Sequence, residues 1–295
     1  MKDYGLLGLA AILLAVDFAL SKLYQKRAGA TLSAGFAFNA LSGLFTALIF
    51  WAIGGFQLEF SLYSAIMACL LSALGIAYTL FGFRILKSGS MALYSLFLMV
   101  GGMTLPYIWG LLFLNEPFSW LRTAGLVVLI LAVLLSNLPK KGERLNAKLF
   151  LMCLAVFVLN GLVSVVSKTH QVQLDFAAVS ASQFVAFSGV AKLVLAGTAF
   201  LITRKIDRQQ SANAPRAKLP FVLGIVATSA AVGGISYLFQ LIGAENLPAT
   251  VLYPFITGGS MIFSSIVGMI VFREKPSRAL LFSIGLCFVG TLIFL

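Results

Sequence analysis

Two ionisable residues stand inside apolar runs of a chain that otherwise avoids charge. Asp17 lies in YGLLGLAAILLAVDFALSK, and Lys192 lies in GVAKLVLAG, within a run reaching from Phe176 to Ile202. Asp17 follows Asp3 by fourteen residues and Lys192 follows Asp175 by seventeen, which at 1.5 Å per helical residue puts both roughly 20 to 25 Å from one face. A central lysine opposes membrane insertion by about 2.5 to 3.5 kcal/mol, against about 0.3 to 0.6 returned by each central leucine. The span still inserts, but such a residue needs a compensating role. A carboxylate at that depth is a protonatable coupling or cation site, and an ammonium group is its partner or an anion clamp. The plainer alternatives are a permanent structural ion pair and a lysine snorkelling toward the near interface.

Four tyrosines join these two as lining residues for a solute site. Tyr78 and Tyr94 are sixteen residues apart, as are Tyr237 and Tyr253. A phenol offers an apolar ring with a hydroxyl, suited to organic solutes, although interfacial anchoring is the commoner use of membrane tyrosines. Pro106 and Pro254 are expected to interrupt their helices by freeing the carbonyls of Gly102 and Thr250, giving kinks for gating or for packing. His170, the one histidine, falls near a span end and reads as a solvated boundary residue. Glu116 and Glu274 stand in turns just before Pro117 and Pro276, where a carboxylate can accept the N-terminal N–H groups of the helices that begin there.

The elements that must position these residues are membrane helices. The chain of 295 residues is 60% hydrophobic and 10% charged, far from the charged fraction of about 25% in soluble domains. Ten apolar segments, at 4–24, 31–54, 61–83, 89–114, 119–138, 147–168, 176–203, 219–242, 247–272 and 277–295, are each close to the length that crosses about 30 Å of hydrocarbon. Such runs exclude a barrel of short alternating strands. The expected fold class is an all-α integral membrane protein of ten transmembrane helices arranged as two inverted five-helix repeats, over 1–140 and 146–295. The first segment holds Asp17 and lacks a small-residue cleavage site, so it reads as a helix and not as a signal peptide. Cys69, Cys153 and Cys287 sit inside spans and read as packing residues.

The net charge of +12 is a topology signal and not a nucleic-acid footprint. Seventeen of the basic residues, Lys26, Arg27, Arg84, Lys140, Lys141, Arg144, Arg204, Lys205, Arg216, Arg273 and Arg278 among them, fall in loops 1–2, 3–4, 5–6, 7–8 and 9–10. The opposite side has Lys2, Arg122 and Lys168. The positive-inside rule makes the first set cytoplasmic and puts both termini outside, in a multi-pass protein of a cell membrane, most simply a bacterial inner membrane.

The repeat is visible in the residues themselves. A spacing of 146 matches SKLYQ, Ser21 to Gln25, with SKTHQ, Ser167 to Gln171, and Ser42-Gly43 with Ser188-Gly189. Gly110-(5 residues)-Glu116 recurs as Gly268-(5 residues)-Glu274. Five helices per copy reverse the second copy in the membrane, an architecture associated with secondary transporters. At the same spacing Lys192 matches Thr46 and Asp17 matches Val163, so each charge belongs to one half only.

GLLFLNEPFSWLRTAGLVVLILAVLL, Gly110 to Leu135, and GMIVFREKPSRALLFSIGLCFVGTLIFL, Gly268 to Leu295, resemble the EamA-type repeat of the drug/metabolite transporter superfamily. The likeness covers essentially the whole chain. It implies ten helices in two inverted repeats and carriage of metabolites, amino acids or xenobiotics, often outward. Pro254 stands where that family often has a proline, but its helix 4 counterpart is Ser95, and the N-out topology departs from the N-in form of ten-helix members. The opening helix also resembles that of small multidrug-resistance transporters, in which an acidic residue near the place of Asp17 is the proton and drug site.

No phosphate-cradling loop, metal spacing or catalytic constellation is present, so no cofactor, metal or catalytic residue is expected and an enzyme is disfavoured. The expected partners are a small-molecule solute and the lipid bilayer, without nucleic acid, and a homodimer is open. The function expected is secondary transport of a small organic solute by alternating access, with Asp17 as the proton-coupling group. An intramembrane lipid-handling protein and a non-transporting membrane receptor are the alternatives. A fluorescent protein fused after Leu295 is expected to stay dark, because it would be exported unfolded; a bright fusion reverses the topology.

Overall fold

A computed structural model describes residues 2–29, 31–57, 59–87, 91–136, 147–173, 175–207, 219–273 and 275–295. Lys140, Lys141, Arg144, Arg216 and Glu274, and the junction between the two expected repeats, lie outside the described residues. The described residues form ten α-helices and no strand: α1 (Lys2–Ala28), α2 (Leu32–Ile53), α3 (Leu62–Lys87), α4 (Met91–Phe113), α5 (Trp120–Ser136), α6 (Ala147–Val172), α7 (Ala181–Asp207), α8 (Leu219–Asn246), α9 (Ala249–Val271) and α10 (Arg278–Leu292). Eight are long and apolar enough to cross a membrane, while α5 and α10 are shorter apolar helices of 17 and 15 residues.

The composition leaves little choice about this fold. With no water in hydrocarbon, each span must satisfy its backbone internally, and uninterrupted apolar runs of this length do so only as helices. Thr31 and Ser277 start α2 and α10 by accepting the N–H groups of Ala34 and Leu280 at 3.2 and 3.1 Å. The expected interruptions at the prolines do not occur: α4 continues through Pro106 and α9 through Pro254, and both rings are buried. A freed carbonyl does not break a helix whose two flanks are held by neighbours.

The helices pack as a layered bundle in which α2 runs along α7, α5 along α10, α1 along α8 and α9, and α6 along α3 and α4. Small residues set these distances. A Cβ on Gly43 would lie 2.7 Å from both the Gly189 carbonyl oxygen and the Leu193 nitrogen, and one on Gly189 would lie 2.7 Å from the Ala47 nitrogen. The two backbones touch there, as small residues permit inside a membrane bundle. The Gly258-Gly259 face of α9 likewise meets Thr291 and Leu129 on one side and Ala11 on the other.

The two ends differ in chemistry. Turns 2–3, 4–5 and 6–7, at the end where α1 begins, carry exposed Phe56, Phe60, Phe118, Trp120 and Phe176. The opposite end carries Lys26 and Arg27 at the close of α1, Arg204 and Lys205 at the close of α7, and Arg273 and Arg278 around the last turn. An aromatic belt at one end and cations at the other suit the two interfaces of a bilayer. Cys69 departs from the expected packing role, since it is exposed on α3, while Cys153 and Cys287 are buried.

The α2–α7 contact is the most crowded crossing, and it fixes a prediction. Gly43→Val forces a side chain into backbone and is expected to destabilise by about 3 kcal/mol or more, beyond ordinary overpacking. Gly35→Ala on the same helix, where a Cβ meets nothing within 4 Å, should be nearly neutral. Thermal denaturation of the purified protein in detergent compares the two.

Candidate functional site

Asp17 sits in the second half of α1, facing α8. Its Oδ1 accepts a hydrogen bond from the Ser229 hydroxyl, and its carboxyl lies over Gly233, where a Cβ would come within 3.0 Å of Oδ2. Serine and glycine one turn apart on α8 thus give the carboxylate one donor and the room to lie flat. Lys192 is in mid α7, one residue before the Leu193 backbone that meets Gly43. Both side chains are enclosed by neighbouring helices, yet both keep some accessible surface.

The two charges act on one another through this space but do not close to a contact ion pair, and Lys192 makes no hydrogen bond to the described residues. The permanent structural pair weighed from the sequence is therefore not made. Ser188, one turn before Lys192, is also buried with its hydroxyl unpartnered. Three ammonium donors and a hydroxyl on one helix face are left for water or solute.

Tyr78 on α3 and Tyr94 on α4 are both partly buried in the bundle, and Tyr94 packs against the cluster of Ile85, Leu149, Cys153 and Val156. The Tyr94 ring lies flush on Gly82. The other tyrosine pair is differently employed. Tyr237 and Ser167 share a hydroxyl–hydroxyl hydrogen bond of 2.8 Å, and the Tyr253 hydroxyl donates to the Ser164 carbonyl at 2.6 Å. Tyr253 is 7% exposed, so its hydroxyl is spent on holding α9 against α6. All four tyrosines are inside the bundle and not in the interfacial belt.

Around Tyr253 lies a constellation that sequence reasoning did not assemble. Lys168 had been counted only as a basic residue of the sparse side; it is buried, and its ammonium donates to the carbonyls of Ala244 at 2.5 Å and Leu247 at 2.7 Å. These are carbonyls at the end of α8, where a cation complements the helix dipole. Glu116 does the converse. Its two carboxylate oxygens accept the N–H groups of Ala249 at 2.6 Å and Thr250 at 2.9 Å, so it caps α9 and not α5, the helix that begins after it.

The spacing Gly110-(5 residues)-Glu116 now has a physical reason. The Glu116 N–H bonds back to the Gly110 carbonyl at 3.0 Å, and Asn115 takes a left-handed backbone conformation with φ of 53°. That turn folds the carboxylate over Gly110, where a Cβ would lie 2.6 Å from Oε2. Only glycine leaves the space.

His170 corrects the solvated reading. It is 1% exposed, stacks on Phe184 with ring centroids 3.7 Å apart, and shares a 2.9 Å hydrogen bond with the Ser64 hydroxyl. It joins α6 to α3 and α7 outside the crevice. Two open grooves, about 450 and 380 Å³, lie on the outer surface between α3 and α6 and between α1 and α8, and neither is lined by Asp17 or Lys192. Among the described residues no three His, Cys, Asp or Glu side chains are grouped to hold a metal ion.

Comparison with known proteins adds the fold alone. No protein-family profile matches the chain, and no curated protein matches it. Solved structures do: one, described only as the crystal structure of a protein, superposes with a TM-score of 0.76 over 98% of this chain and 97% of its own, at 19% sequence identity. A near-complete superposition at so low an identity is a likeness of architecture.

The Gly110–Glu116 fit yields a prediction. Glu116→Ala leaves two helix N–H groups unpaired, and Gly110→Ala displaces the same carboxylate, so each is expected to destabilise by about 2 kcal/mol. Their double mutant should fall well short of the sum, since both remove one interaction. Denaturation midpoints of the four proteins give the coupling; strict additivity would mean that the two residues act separately.

Proposed function

We propose that this chain is a secondary carrier of the drug/metabolite transporter type, moving a small organic solute through the crevice between two inverted five-helix halves. The observation that carries the reading is the pattern of helix packing. Replacing each helix by the one five positions along returns the same principal neighbours: α1 on α8 and α9 becomes α6 on α3 and α4, α3 on α7 becomes α8 on α2, and α2–α7, α4–α9 and α5–α10 map onto themselves.

Residue contacts support a two-fold relation that reverses direction. Gly43 meets Leu193 while Ala47 meets Gly189, so α2 and α7 cross antiparallel about their shared contact. The left-handed residues Asn115 and Arg273, with φ of 53° and 54°, occupy matching places before the two glutamates of the Gly-(5 residues)-Glu motif. Two such halves can exchange conformations and present one midplane site to either side in turn.

Within this reading the crevice of Asp17, Lys192, Tyr78 and Tyr94 receives the solute, with Asp17 as the proton-coupling group. Its carboxylate has one fixed donor, Ser229, and otherwise faces the crevice. A carboxyl at membrane depth with a single fixed donor is the kind of group that proton-coupled carriers use. The basic end is cytoplasmic, and export is the direction favoured by the family resemblance.

Reconstitution into proteoliposomes with a panel of metabolites and drug-like cations and anions tests this. The parent protein is expected to accumulate a solute when a proton gradient is imposed. Asp17→Asn should still exchange solute down its own gradient but lose the response to protons. If uptake and its pH dependence are the same in both proteins, Asp17 has no coupling role.

A further inference from the structure

The seam between α6 and the α8–α9 corner is built differently from the rest of the bundle. The apolar clusters join α1, α4, α5, α9, α10 and the end of α8; α2, α3, α7 and α8; α3, α4 and α6; and α1, α2 and α8. None of them contains buried residues of both α6 and either α8 or α9. What crosses the seam instead is polar: Tyr237 to Ser167, Tyr253 to the Ser164 carbonyl, and Lys168 to the carbonyls of Ala244 and Leu247. From the α4–α5 turn, Glu116 reaches across to the first N–H groups of α9.

These contacts share a design. Each charged group grips backbone at a helix end, the cation at the close of α8 and the anion at the start of α9, so the corner Asn246-Leu247-Pro248 is held from two sides by groups outside its own hairpin. The ammonium and the carboxylate also feel each other's charge. Hydrogen bonds of this kind are short-range and directional, and water can replace them once they part. An interdigitated apolar surface has no such substitute. The polar seam begins one turn from the Asp17 carboxyl, since Tyr237 follows Gly233 by four residues on α8, and it is therefore the joint that can open and reseal beside that site.

We infer that the clasp of Lys168 and Glu116 on the α8–α9 corner is the gate that closes the crevice at the end where α1 begins. The inference rests on the carrier reading, since only a protein that alternates access needs such a gate. It adds two residues, neither in the solute crevice, that set which face the crevice opens to. Tyr253 and Tyr237 form the second layer beneath them, which explains why the two second-half tyrosines are hydrogen-bonded to α6 while Tyr78 and Tyr94 line the crevice.

One-sided accessibility separates a gate from a structural staple. A reporter cysteine, Tyr78→Cys, is placed in the crevice with the exposed Cys69 replaced by alanine, and its reaction with a membrane-impermeant maleimide is timed in membrane vesicles of both orientations. Lys168→Met and Glu116→Gln are each expected to raise labelling roughly tenfold from one face only, the shift that follows from removing a charge-assisted contact from the closed state. Tyr253→Phe, a milder change, should raise labelling from the same face by a smaller factor.

Lowered thermal stability with unchanged labelling, or labelling raised equally from both faces, would make the clasp a staple and overturn the gate. Should Lys168→Met fail to fold, Glu116→Gln and Tyr253→Phe carry the same comparison. The assay needs no transported solute. An absence of one-sided labelling thus removes the gate and leaves the carrier reading standing, whereas one-sided labelling without solute transport in proteoliposomes removes the carrier reading.

Discussion

Everything in this bundle is arranged around the place where α2 and α7 touch backbone to backbone. Gly43 and Gly189 bring the chains so close that a single Cβ on either would overlap main-chain atoms of the other. In a bilayer there is no hydrophobic force to draw helices together, since lipid tails are as apolar as leucine, and close packing of small residues supplies the contact. This crossing also sets the depth of the crevice. Lys192 lies one residue from the touching backbone, and Asp17 approaches from α1 with its carboxyl on Ser229 and Gly233 of α8. A tight, unpolarised contact and a charged, accessible wall are thus adjacent features of α7, separated by only a few residues.

Glycine and charge recur together elsewhere in the fold, and for a related reason. A carboxylate buried among helices must find donors, and the donors least committed in any bundle are the N–H groups of a helix's first turn. Glu116 reaches those of α9 only because Gly110 vacates the path and Asn115 bends the backbone toward it. Asp17 lies flat only because Gly233 has no side chain. Lys168 solves the mirror problem with the carbonyls at the end of α8. In each case an ionised group is stabilised inside the bundle by backbone dipoles or a hydroxyl, without a contact counter-ion among the described residues. Such groups are held by hydrogen bonds without locking two helices through an ion pair, which keeps the interface separable.

The sequence carried the helices well and the partnerships poorly. Each apolar run became one helix within a few residues, because hydropathy and span length are properties of a segment alone. The placement of Asp17 and Lys192 inside long apolar helices was legible for the same reason. Lys168 was not, since a lysine near the end of a span looks interfacial, and only the arrival of α8 beside α6 turns it into a buried cap. His170 misled in the same way: its neighbour Ser64 is 106 residues away in sequence and Phe184 belongs to the next helix, and the fold around them leaves it 1% exposed. The motif Gly110-(5 residues)-Glu116 could be seen in the chain, with a cap as its purpose, but the capped helix could not. A local rule assigns a carboxylate to the helix that follows it, whereas the tertiary fold delivered α9.

The two tyrosine pairs, each sixteen residues apart in sequence, are employed differently. Tyr237 and Tyr253 bond to α6, whereas Tyr78 and Tyr94 make no such bond among the described residues. The residues on α6 that receive them are a serine hydroxyl and a backbone carbonyl, and Ser167 has a matching serine, Ser21, in the first half. The difference in hydrogen bonding therefore does not come from the tyrosines or from that serine. It comes with the approach of α6 to α8, which α1 does not make to α3 among the described residues. A contact determined by helix position, and not by residue type, is one that a movement of helices can make or release, and under the proposed carrier function that is the movement which would let the same four tyrosines exchange duties.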